Sequence, residues 1–204
     1  MKKKEKFSKL FSKSNSINIL SASRVFLFGA RDIWFVVGVP IFFYDKLSWS
    51  FTEVGSFMAS WIIFYGIIQS LAPKLLKIFY GNNFSENEQA FIWAIKLLLI
   101  IACLGILSYT YDYNGYLICM GLFLFGFIFA INSSIHSYLI LALAKKNDVT
   151  LDVGFYYMAN AMGRLLGCII SGFSYQIAGL IGCFVFAGIF LFFCSVFSFY
   201  LKSY

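Results

Sequence analysis

The chain has 204 residues, 61% of them hydrophobic and 21% aromatic, with a formal net charge of +7. Only 12% are charged, against about 25% in soluble domains, which excludes an ordinary water-soluble globular protein. The positive charge is gathered at one end, with six lysines between Met1 and Lys13; that excludes a nucleic-acid-binding face and points to a basic tail beside a membrane.

The tail, residues 1–17, leads into a first apolar run at about 19–43. A secretory signal has an apolar core of roughly 7–15 residues followed by a small-residue cleavage site. This run is longer and lacks that site, so it reads as a retained span. A helix needs about 20 apolar residues to cross a bilayer. Six stretches qualify, at about 19–43, 51–72, 90–110, 115–143, 153–177 and 179–201. With two prolines and no Gly/Ser-rich linker, residues 18–204 are expected to form one all-α integral membrane domain of six transmembrane helices.

The first span carries Arg24 and, at its centre, Arg31 and Asp32. A charge at that depth costs at least ~2.5–3.5 kcal/mol, so each needs compensation. Arg24 and Arg31 are seven residues apart and share a helix face; Arg24, nearer the end, either snorkels to the surface or joins a polar cavity. Asp32 points about 100° away from Arg31. It is therefore expected to bond to another helix, with Arg164 as the candidate, rather than to pair simply with Arg31.

The second span opens with a capping box, Ser50 to Glu53, and carries Tyr65 and Gln69. The third opens with a second box, Ser85 to Glu88, and carries only Lys96, expected to snorkel. Asp112-Tyr-Asn-Gly115 is turn chemistry before the fourth span. Asn132 and His136 lie four apart in the fourth span, and Asn160 and Arg164 four apart in the fifth, one face each. His136 reads either as a hydrogen-bonded core residue or as a cavity ligand or proton relay. Ala159, Gly163, Gly167 and Ser171 form a small-residue ridge, which serves packing inside the bundle or a surface that meets a partner half. The sixth span has no charge or amide before Lys202.

Orientation follows the lysine bias. With the N-terminus inside, the cytoplasmic side holds the tail lysines, Lys74, Lys77, Lys145, Lys146 and Lys202, against Lys46 alone outside. Both termini are therefore expected in the cytoplasm, with no soluble domain at either. Cys103, Cys119, Cys168, Cys183 and Cys194 lie in apolar stretches without metal or redox spacing, so they read as small buried packing residues. No cofactor or metal is expected. The "SGFSYQ" around Ser174 lacks the second glycine of an intramembrane serine protease, and no HExxH occurs, so no enzyme is expected.

Spans one, two, four and five are polar and spans three and six bland. This triplet occurs twice and, being odd-numbered, inverts in the membrane, the construction of many secondary transporters.

The segments "NILSASRVFLFGARDIWFVVGVPIFFYD" (18–45), "WSFTEVGSFMASWIIFYGIIQSLAPKLL" (49–76) and "FYYMANAMGRLLGCIISGFSYQIAGL" (155–180) resemble the C-terminal half of the organoarsenical efflux permease (ArsJ) family of the major facilitator superfamily. The resemblance implies one 3+3 inverted-repeat half of a twelve-span, inner-membrane transporter. Its first and fourth helices would line a cavity, and its second and fifth would meet the other half. It also implies efflux of an anionic arsenic-containing phosphoglycerate ester, contributing to arsenate resistance. On that footing the substrate-binding residues are expected to be Arg31, Arg164, Asn132, His136, Arg24, Asn160 and Gln69, with Asp32 coupling protons. The partners would be the bilayer, the anionic substrate and a second half, either a separate N-half or another copy. A non-transporting subunit or a remnant of a split gene is the competing expectation.

Overall fold

Helices satisfy every backbone polar group within one segment, the requirement that hydrocarbon imposes, and the apolar runs adopt no other structure. A computed structural model describes residues 14–81, 85–110, 114–144 and 149–201. The five apolar helices are α1 (Asn15–Leu47), α2 (Phe51–Tyr80), α3 (Glu86–Thr110), α4 (Gly115–Leu143) and α5 (Val149–Leu201). The tail lysines, Asp112, Lys145, Lys146 and Lys202 lie outside the described residues.

Five elements replace the expected six because the last two stretches are joined without a loop. The 53 residues of α5 would reach about 80 Å if straight, far more than a bilayer. They are broken at Ala178 (φ −146°, ψ 27°) and Gly179 (φ 58°, ψ −147°), where only glycine takes the second conformation without strain. The contacts give the direction of the two limbs. Residues 160 and 171 lie beside 24 and 37 of α1, so the first limb runs with α1. Cys183 lies beside Gly38 and Ser198 beside Ser23, so the second limb runs back. A hairpin within one helical element thus clasps α1, and this is the most extensive helix contact in the bundle.

The small-residue ridge forms the inner side of that clasp. A Cβ on Gly163 would collide with the Val25 backbone carbonyl, and one on Gly167 would lie 2.7 Å from the Gly29 carbonyl and 2.8 Å from Asp32 Cβ. The ridge therefore packs against α1 inside the bundle and is not a surface for a partner half. Small residues are needed because two backbones meet there.

One turn of α1, Trp34–Gly38, is wound as a π-helix. Pro40 has no N–H for the Val36 carbonyl and its ring crowds that carbonyl. The widened turn releases the Val37 and Gly38 amides, which both donate to Ser171 Oγ at 3.3 Å. The last member of the ridge thereby satisfies the irregular backbone.

Capping matches the expectation at α2, where Ser50 Oγ accepts from the Glu53 amide at 3.3 Å and Glu53 accepts from the Ser50 amide at 2.7 Å. At α3, Ser85 Oγ accepts from the Glu88 amide. Asn114 Oδ1 caps α4 through the Tyr116 and Leu117 amides. α2 continues through Pro73 to Tyr80, eight residues past the expected end. Near that end Lys96 Nζ donates to Tyr80 Oη at 3.2 Å and lies 3.9 Å above the Trp93 ring. Between α2 and α4, Trp61 donates to the Leu122 carbonyl at 2.8 Å, and Gly126 leaves room for its indole. Cys183 and Cys194 are buried, but Cys119 and Cys168 are only half-buried and Cys103 is exposed. For Cys103 the expected burial is wrong: no neighbour among the described residues covers its side of α3.

Candidate functional site

Two polar centres sit on one face of α1, separated by Phe28. The upper centre is built on Asp32, whose side chain is 1% exposed. Arg31 Nε donates to Asp32 Oδ1 at 2.6 Å, with Nη2 2.5 Å from the same oxygen. Arg164 Nε, from the first limb of α5, donates to Oδ2 at 3.2 Å. One carboxylate thus serves two guanidiniums. The pairing of Arg31 with its own neighbour corrects the angular expectation: a 100° offset separates Cβ directions, but the long arginine stem curls sideways across it. The Arg31 guanidinium also faces the rings of Phe28, Phe35 and Phe129, with Cζ 5.2, 5.8 and 5.6 Å from their centroids, all within cation–π range. The Arg31 side chain is 11% exposed, whereas that of Arg164 is 57% exposed.

The lower centre is built on Arg24, which is 4% exposed and does not snorkel. Its Nε donates to Asn160 Oδ1 at 3.1 Å, and Nη1 donates to both the carbonyl and the hydroxyl of Ser133 at 3.2 Å. Tyr65 Oη lies 3.3 Å from the same hydroxyl. Four helices, α1, α2, α4 and the first limb of α5, therefore converge on one arginine. Phe28 lies beneath its guanidinium at 3.9 Å and Tyr156 at 5.1 Å.

The family of the chain follows from a separate comparison: the model of the Major Facilitator Superfamily matches residues 20–203. The chain belongs to the Major Facilitator Superfamily. No curated protein and no solved structure matches it. As a superfamily member it is an integral membrane protein of transporter class, one that handles a small-molecule substrate within a lipid bilayer, and members are generally transporters rather than enzymes.

Within this superfamily chain, the fold gathers Arg31, Asp32 and Arg164 at one centre and Arg24 and Asn160 at the other. Asn132 and His136 flank Ser133 on α4 and are fully buried; neither side chain has a hydrogen-bond partner among the described residues. Gln69 is half-buried on α2 and makes no side-chain hydrogen bond among the described residues, so neither centre includes it. Sequence reasoning missed Ser133, the hub of the lower centre, and Phe28, the divider. The run Asn132-Ser133-Ser134 with Ser137 marked a polar patch on α4, while Phe28 was one aromatic among twenty-six phenylalanines. Among the described residues no group of three or more His, Cys, Asp or Glu could hold a metal ion.

Proposed function

We propose that this chain is one half of a secondary transporter that exports an anionic organoarsenical, such as an arsenic-containing phosphoglycerate ester, across the inner membrane, with both termini cytoplasmic. The observation that carries the anion is the charge imbalance at Asp32. Two arginines share one carboxylate, so an incoming carboxylate or oxyanion takes over one guanidinium while the other remains paired. Arginine suits this because its planar fork binds such groups bidentately. Arg164 is the guanidinium more open to exchange, and Arg31 is the one held among rings. Proton coupling through Asp32 belongs to the return step, when the anion has left.

The exposure of Arg164 also supports a second half. It stands midway along the first limb of α5, among exposed Met162, Leu165 and Leu166. Lipid against a mid-depth guanidinium is unfavourable, so protein or a protein-lined aqueous cavity covers this face. A second reading, a non-transporting subunit, is favoured by the saturation of Asp32, which leaves both arginines a purely structural role. Arsenate resistance separates the two. Cells would carry this gene alone, with a companion N-half gene, and with that gene plus the glyceraldehyde-phosphate dehydrogenase that makes the ester. Resistance in the full combination supports export; none in any combination favours the subunit or remnant.

A further inference from the structure

Lys96 is the only charged residue of α3 after Glu88. Its ammonium donates to Tyr80 Oη and lies against the Trp93 ring, and it forms no ion pair among the described residues. A cation in an apolar helix is costly unless water or an anion reaches it. Gln89, Trp93 and Lys96 are spaced four and three apart, so they share one face of α3. Gln89 and Trp93 are 6% and 4% exposed, yet Gln89 Oε1 and Trp93 Nε1 have no hydrogen-bond partner among the described residues. Native proteins rarely leave buried polar atoms in that condition, and an exception implies an occupant or a role. An acceptor and a donor without partners thus stand on the face that carries the unneutralised cation.

The surroundings suit a lipid better than a free ion. Among the described residues, α2 and α3 both pack on α4 but their backbones scarcely approach each other, and the Lys96–Tyr80 bond bridges the gap. Beyond Lys96 the same side of α3 continues as exposed Leu99 and Cys103, three and seven residues on. On the α2 wall, exposed Lys77 stands three residues before Tyr80 and shares its face. A mouth with two lysines therefore leads into an apolar slot. Basic pockets between membrane helices take anionic headgroups.

We propose that the end of α2 and the Lys96 face of α3 bind one phospholipid whose headgroup carries a net negative charge and a hydroxyl. Lys96 and Lys77 hold the phosphate, and Trp93 Nε1 donates to it. The headgroup hydroxyl supplies the donor that Gln89 Oε1 lacks, and one acyl chain lies against Leu99 and Cys103. The lipid joins α2 to α3 where protein contact does not. Because α2 carries Tyr65 to the Arg24 centre, the bound lipid steadies one wall of the bundle. The site stands whether or not the chain exports an anion.

The test uses the purified full chain in detergent with three probes: phosphatidylglycerol, phosphatidylcholine of the same acyl chains, and inorganic phosphate. Native mass spectrometry counts the lipids retained, and thermal unfolding reads their effect. The expected result is one retained phosphatidylglycerol that raises the melting temperature, with a preference over phosphatidylcholine of about fivefold for each lysine engaged. Lys96→Gln removes the rise and most of the preference, whereas Lys96→Arg keeps both. Lys77→Gln, at an exposed position, lowers the preference without touching the bundle. Lys46→Gln, exposed near the other end of α2, changes nothing. Equal retention of the two lipids, or a preference that survives Lys96→Gln and Lys77→Gln alike, overturns the site. Inorganic phosphate that stabilises the chain as much as phosphatidylglycerol overturns the lipid as its occupant.

Discussion

Arg31 meets Asp32 through two nitrogens and three aromatic rings through its face, a geometry that a point charge on a flexible stem does not reproduce. Arg31→Lys keeps the charge and loses the fork. Export should fall at least tenfold while protein level stays near normal, measured as transport in vesicles matched for protein content. Arg31→Ala removes a partner from a buried carboxylate, a loss of about 3–5 kcal/mol, and should also reduce the amount of folded protein. At this scale the sequence was informative about residue type, depth and the cross-helix pair of Asp32 with Arg164, but not about the pairing of Arg31 with its own neighbour. Helical-wheel angles placed Arg31, Asp32 and Arg164 at the right height, yet they describe Cβ directions and ignore a side chain that reaches several ångströms sideways. Ser133 stayed hidden because a serine in an apolar helix ordinarily bonds its own backbone, as Ser137 does here to the Ser133 carbonyl at 2.9 Å.

Among the elements, the clasp of α5 around α1 governs stability. Leucine at Gly163 or Gly167 would have to displace α1 backbone rather than a side chain. Overpacking of this kind costs typically 1–3 kcal/mol, occasionally more, and backbone obstruction puts these two at the upper end. Gly172→Leu, where nothing lies within 4 Å, should be close to neutral. Thermal unfolding of the three variants in detergent checks the contrast. The π-helical turn gives a second expectation. It holds one residue more than an α turn, so deletion of Val36, which is 40% exposed, lets 34–38 rewind as regular helix with the faces of 15–33 and 39–47 still in phase. A deletion at Val25, inside regular helix and against Gly163, rotates everything after it by about 100°. The Val36 deletion should accumulate in the membrane to a higher level than the Val25 deletion, as read by immunoblot. The sequence showed the ridge by its spacing of four and the turn only by Pro40. What it could not show was the ridge's partner, because small residues mark close approach without naming the helix that approaches.

For the whole molecule, orientation is the expectation most open to direct measurement. Single cysteines at positions 145–152, in a background lacking the native five, should react with membrane-impermeant maleimide only after the cells are opened. Labelling from outside would reverse the assignment. The number of helical elements was harder to read than their location: hydropathy separates 153–177 from 179–201 at the right residues, but two residues suffice for the turn and no polar linker announces it. That brevity has a consequence for how the protein is made. Synthesis runs from the N-terminus, so the first limb is complete before the second, and with only Ala178 and Gly179 at the break the second follows directly behind it. The 53 residues of α5 are apolar on both sides of the break, and α1, made earlier, is the helix on which both limbs close. The backbones of Val25 and Gly29 meet Gly163 and Gly167, so this stretch of α1 lacks its close neighbour until the first limb of α5 has been made.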